Sequence, residues 1–164
     1  MQPDLQPRID RAKELLNTVL HAAMATVNAD GSPHNTPFFF AHDDSLQHIY
    51  WASNPETNHS QNVARTGQIF VVLYDAFGGG GLYLRADNAH ATEGDELQRA
   101  HQAFEACAAR ADKPIPPVPH YQGEGPERLY MATIQQLWVN ANERGPDGLI
   151  IRDKRYEIDR EVLQ

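Results

Sequence analysis

The sequence predicts a mainly β, α+β fold: six or seven antiparallel strands curled into a small barrel, with helices flanking it. Three observations predict this. Apolar runs of strand length recur, separated by turn signals. Two segments, near residues 5–20 and 95–110, carry apolar residues at long helical spacing. The strands follow one another through tight turns, and a strongly twisted antiparallel sheet of that size tends to close on itself.

The elements fall in order. Residues 5–20 place Leu5, Ile9, Ala12, Leu15, Leu16, Val19 and Leu20 near helical spacing, an amphipathic helix that needs a sheet to lie on. A strand "AAMATVN" leads to Asp30-Gly31, a strong hairpin signal, and "HNTPFFF" returns. Pro37 removes a backbone donor there, so that strand is expected at an edge, bulged, or open towards a ligand. A turn "HDDS" and a third strand "LQHIYWA" complete a meander. A short helix at about 55–65, stopped by Gly67, precedes the strand "QIFVVLYDA". The glycine run ending at Gly81 connects to a fifth strand, "LYLRADNAHATEG". A second long helix starts at Gly94 or Asp95. Residues 112–127 hold five prolines and form a loop of polyproline character. "RLYMATIQQLWVNA", the turn "NERGPDG" and "LIIRDKRYEID" supply the last strands, 128–164. No repeat and no internal boundary appears, so residues 1–164 read as one domain.

The balance of 14 Lys plus Arg against 22 Asp plus Glu, net −8 over 164 residues, argues against a nucleic-acid surface and against docking on an anionic membrane. No apolar run reaches the roughly 18 residues of a membrane span, and no signal peptide is visible, so a cytoplasmic protein is expected. The single cysteine, Cys107, excludes an internal disulfide and reads as an inert core thiol. Eight histidines show no ligand spacing, and no metal site is expected. The glycines at 78–81 are not followed by Lys-Ser/Thr or a helix, so they do not form a phosphate loop.

The stretch "SNPETNHSQNV", residues 53–63, concentrates uncharged hydrogen-bonding side chains at a helix start. Asn54, Pro55 and Thr57 would cap and begin any helix. The same position offers free N–H groups and a partial positive charge, a natural anion site.

The run from Ala22 to Ser53, with "NPETNHSQNVARTGQIFVVLYD" after it, resembles the core of the pyridoxamine 5′-phosphate oxidase-like, FMN-binding split-barrel family. The likeness covers about residues 8–107 and rests on the order and spacing of five elements. It implies a homodimer with FMN in a groove between subunits. The isoalloxazine ring would lie along the strand holding Asn35, Thr36, Pro37 and Phe38. The phosphate would be held by Ser53 at the strand end and by Thr57, Asn58, His59 and Asn62. Many relatives carry two basic residues where this sequence has Asn58 and His59. Trp138 and Trp51 are candidates either for covering the ring or for core and dimer packing. The resemblance implies an FMN-dependent oxidoreductase acting on a small molecule, with no catalytic acid or base assigned. A non-catalytic flavin binder, a deazaflavin relative and a haem relative, with His90 or His120 as axial ligand, are the alternatives.

Overall fold

The structure is a computed structural model that describes residues 4–77 and 80–164; of the glycine run, Gly78 and Gly79 lie outside the described residues. Its elements are α1 (Gln6–Thr18), β1 (His21–Val27), β2 (Pro33–Phe39), β3 (Ala41–His42), β4 (His48–Ser53), α2 (Asn58–Thr66), β5 (Ile69–Leu73), β6 (Leu82–Ala91), α3 (Gly94–Ala109), β7 (Arg128–Arg144) and β8 (Ile150–Ile158). Short 3-10 turns occupy Val118–Tyr121 and Arg160–Leu163.

The strands form one antiparallel sheet in the order β2-β1-β5-β6-β7-β4-β3, with β8 added on β7. The two ends of that path, β2 and β3, are one run of chain interrupted at Phe40. The sheet therefore curls until its first and last strands belong to the same segment, as the expected antiparallel split barrel requires. The eight strands exceed the six or seven expected, because the interruption at Phe40 makes a separate two-residue strand.

Proline explains how β2 ends the sheet. The Phe40 N–H donates to Leu20 O at 2.9 Å, and the register pairs Phe38 with Ala22, Thr36 with Met24 and His34 with Thr26. Hydrogen-bonded pairs alternate along an antiparallel ladder, so the even-numbered residues of β2 bond β1. The backbone groups of Pro33, Asn35 and Pro37 point the other way, where a missing proline donor breaks no ladder bond.

The pleat sorts the side chains into two cores. Met24, Phe38, Phe40, Ile49, Trp51, Val71, Leu84 and Ile134 meet inside the barrel, with Ala12, Leu15 and Leu16 of α1 packed into the same cluster. On the outer face Tyr50, Leu129 and Phe39 pack against Leu97, Ala100, Phe104 and Cys107 of α3, and against Tyr121. The inert-core reading of Cys107 holds: the thiol is buried.

The helices begin and end by local rules. α2 starts at Asn58, later than expected, because Asn54–Thr57 is a turn closed by Thr57 N–H to Asn54 O at 3.2 Å. Gly67 ends it with φ 63°, the left-handed geometry that glycine adopts most cheaply. Among the described residues no helix is long and apolar enough to cross a membrane.

Trp51 is fully buried, stacked on Tyr130 with centroids 5.3 Å apart and edge-on to Phe38 at 6.1 Å. Trp51→Ala is expected to cost about 3–5 kcal/mol, read as a lower midpoint in urea unfolding; a loss under about 1 kcal/mol would remove it from the core.

Candidate functional site

The end of β4 and the start of α2 bring four polar side chains into contact. Ser53 Oγ lies 2.7 Å from His59 Nε2 and 3.1 Å from Thr57 Oγ1. Ser60 Oγ lies 3.1 Å from Ser53 Oγ and 2.9 Å from Thr57 Oγ1. Thr57 is the N-cap of α2 and accepts from the Ser60 N–H at 3.4 Å. The spacing follows from the helix: Thr57 and Ser60 are three residues apart and share a face, which the turn folds back onto the strand end at Ser53.

His34 of β2 completes the group. Its ring stacks on that of His59 with centroids 6.3 Å apart and planes 16° apart. Burial, followed by repulsion from His34, holds the His59 imidazole below its ordinary 6.5. His59 is thus neutral near pH 7, and it is a half-buried acceptor or single donor rather than a fixed charge.

Beside this cluster runs the free edge of β2. It offers the Asn35 N–H and the carbonyls of Asn35 and Pro37, with no donor from either proline. Asn35 and Pro37 are exposed and Thr36 is half-buried; Phe38 points into the core against Phe40 and Trp51. A ligand lying along this edge would meet Phe38 through its backbone alone. Trp51, being core, covers nothing; core packing was the other reading of it.

The remaining candidates sort by position. Asn62 is 5% exposed and works as an internal strut, donating to Thr26 Oγ1 at 3.0 Å and to Asn28 Oδ1 at 2.9 Å. Arg65 donates to the Val27 carbonyl. Asn58 is exposed at the first turn of α2 and borders a shallow cavity with Asn28, Asp30 and Arg65. Trp138 does not join them. Ser53 pairs with Arg128 on β7, and Trp138 is ten residues further along that strand, roughly 30 Å away. It sits on the outer face beside Phe70, centroids 6.0 Å apart.

The structure therefore gathers Ser53, Thr57 and His59, with Asn58 at the rim, and adds His34 and Ser60. Both additions were within reach of pattern. His34 has the same parity as Thr36 on β2, and Ser60 is the residue three after the cap. The two histidines considered as axial ligands are engaged: His90 with Asn88 O at 2.6 Å and Glu96 at 2.8 Å, His120 with Glu127 at 3.0 Å. Among the described residues no group of three or more His, Cys, Asp or Glu is placed to hold a metal.

The family model described as pyridoxamine 5′-phosphate oxidase matches residues 9–140. A search of curated proteins finds no match. Among solved structures, a protein of unknown function from Agrobacterium tumefaciens is similar at 22% identity, covering 92% of this chain and 62% of that one, TM-score 0.62. A candidate pyridoxamine 5′-phosphate oxidase from Listeria innocua is 18% identical over 80% of this chain and 96% of its own, TM-score 0.59. HupZ of Group A Streptococcus is 20% identical over 79% and 91%, TM-score 0.57. At these identities the likeness is one of fold.

A depressed His59 has a sign that can be checked. The fold favours the neutral ring, so its contribution is complete above the unfolded value near 6.5 and is lost as pH falls below it. Urea unfolding at pH 7.5 and 5.5 should show a smaller acid loss in His59→Asn than in the parent protein. An equal loss in both would mean that His59 is not desolvated.

Proposed function

The chain belongs to the pyridoxamine 5′-phosphate oxidase family, and from that premise we propose that it binds FMN and serves as an FMN-dependent oxidoreductase for a small molecule. The observation that carries the reading is the Ser53–Thr57–His59–Ser60 cluster at the N-terminus of α2, set beside the free edge of β2. Hydroxyls, free helix amides and a titratable imidazole are a donor set that suits a phosphate monoester.

FMN, when bound, supplies hydride and one-electron chemistry at its isoalloxazine ring. This chain's residues do the rest. Ser53, Thr57 and Ser60 turn their hydroxyls from one another towards the phosphate oxygens. His59 takes up a proton as the dianion arrives, since a nearby negative charge favours the imidazolium. That proton replaces the fixed charge that Asn58 and His59 do not provide. The Asn35 N–H and the β2 carbonyls meet the edge of a planar ring without needing a side chain.

The active unit in this reading is a homodimer. Trp138 is too far along β7 to serve its own chain's cluster, so it contributes only from a second copy, across a sheet face that also presents Phe70 and Tyr83.

Titrating FMN into the purified protein should quench flavin fluorescence, with riboflavin, which lacks the phosphate, bound at least roughly tenfold more weakly. Affinity should rise from pH 8 to pH 6.5, and His59→Ala should remove that rise. An absence of quenching at micromolar FMN defeats the reading, and a monomer mass by light scattering defeats the dimer. If FMN binds but neither NADH nor NADPH reduces it, the protein is a flavin binder without turnover of that kind.

A further inference from the structure

The Pro-rich segment after α3 is not a spacer. α3 ends at Ala109, and Asp112 adopts φ 50°. The Lys113 N–H then donates back to Ala108 O at 3.1 Å, so the chain turns sharply over the helix end. Pro116 O is held by His101 Nε2 at 2.9 Å. Tyr121 is gripped edge-on by His101 and His120, centroids 5.9 and 5.1 Å away. Gly125 seals the return, since a Cβ there would lie 2.2 Å from His120 O. The segment is a strap fixed at four points.

Beneath it lies a cavity of about 230 Å³ walled by Phe39, Phe104, Lys113, Ile115, Tyr121 and Glu127. Phe39 and Phe104 meet edge to face at 5.1 Å. The volume is well above the space one water needs and below the roughly 300 Å³ at which drug-sized sites begin. It suits a single ring with a short substituent.

Two polar groups in the wall are unspent. Tyr121 is 1% exposed, yet no group among the described residues hydrogen-bonds its hydroxyl. Among the described residues the buried side-chain atoms without a partner lie elsewhere, on His42, Trp51 and Asp87, so the Tyr121 oxygen is not sealed in protein and is open to the cavity. Burial and the neighbouring Glu127 raise this phenol to about 12, so it is a standing donor. Lys113 has no carboxylate partner among the described residues, and its ammonium rests over the Phe39 ring at 5.1 Å. Glu127, by contrast, is already paired with His120.

We propose that this cavity binds a small aromatic monocarboxylate, its ring between Phe39, Phe104 and Ile115 and its carboxylate taken by the Lys113 ammonium and the Tyr121 hydroxyl. The anion is favoured over a cationic ligand because the donors are free while the carboxylate is occupied. The cavity lies on the opposite face of the sheet from the Ser53 cluster, since Phe39 and Ala52 in its wall alternate along their strands with Phe38 and Ser53. Binding itself needs no cofactor and stands apart from the FMN reading.

The test uses the full chain without added flavin and three probes, 4-fluorobenzoate, 4-fluorobenzyl alcohol and 4-fluorobenzylamine, followed by fluorine NMR. The expected result is saturable binding of the benzoate alone. Lys113→Gln should weaken it roughly three- to tenfold and Tyr121→Phe roughly tenfold. Tyr121→Phe should melt no lower than the parent, because the hydroxyl it deletes has no protein partner. Preference for the amine, equal binding of acid and alcohol, no binding at millimolar probe, or an unchanged Kd in Lys113→Gln would each overturn the proposal. Because no flavin is present, these outcomes leave the FMN titration to be judged separately.

Discussion

Closure of the sheet through residues 33–42 is the constraint on which the rest depends. One run of chain carries both ends of the strand path, pairing with β1 through β2 and with β4 through β3. The bond from the Phe40 N–H to Leu20 O fixes its register at the point where it changes partners. Slipping that register by one residue would turn Phe38 and Phe40 out of the core. It would also move β4, and with it Ser53 and the turn into α2. The polar cluster is thus positioned by apolar packing elsewhere: hydrophobic contacts inside the barrel set where the hydroxyls meet.

The cluster differs in kind from a site built on fixed charge. Ser53, Thr57, Ser60 and His59 satisfy one another when nothing else is present. A self-satisfied polar group is stable when empty, and a ligand must exchange hydrogen bonds rather than fill vacancies. The affinity available is therefore the difference between two sets of bonds. The stacked His34 ring sharpens this, because it disfavours charge on His59 in the empty protein. The strapped cavity is the opposite case. Its tyrosine hydroxyl has no protein partner among the described residues, so a ligand oxygen there would displace water rather than break a bond within the protein.

Much of this was legible in the residues, for identifiable physical reasons. Period-two alternation and turn chemistry act over a few residues, so the strands around 21–27, 33–39, 48–53 and 69–73 could be read directly. The two-residue strand at Ala41–His42 could not, because it exists only through pairing with β4. Ser53, Thr57 and His59 were readable as a group since a turn and one helical turn hold them. Asn62 belongs instead to a network with Thr26 and Asn28, some 35 positions away in the chain, that local pattern does not encode. Phe38 is expected along the ring and Trp51 either as ring cover or in packing, and burial alone shows that both side chains are core. Trp138 shows the limit in the other direction: its role depends on a distance along β7 that a residue list does not carry.

The outermost strand has a consequence for how the molecule meets others. β8 pairs only with β7, leaving one edge of main-chain donors and acceptors open. Such an edge invites another strand to add on, which is how sheets run on into fibres. Here it bears Arg152, Lys154 and Arg155. Lys154 and Arg155 also lie over aromatic rings of the sheet, Lys154 on Tyr156, Arg155 on Tyr83 and Phe70. Asp153 and Glu157 stand among them and Arg152 is paired with Glu143, so the edge is densely charged with both signs, and adding a strand there would have to desolvate these groups. Charged side chains on an outermost strand thus make open-ended self-addition costly without any need to cover that edge.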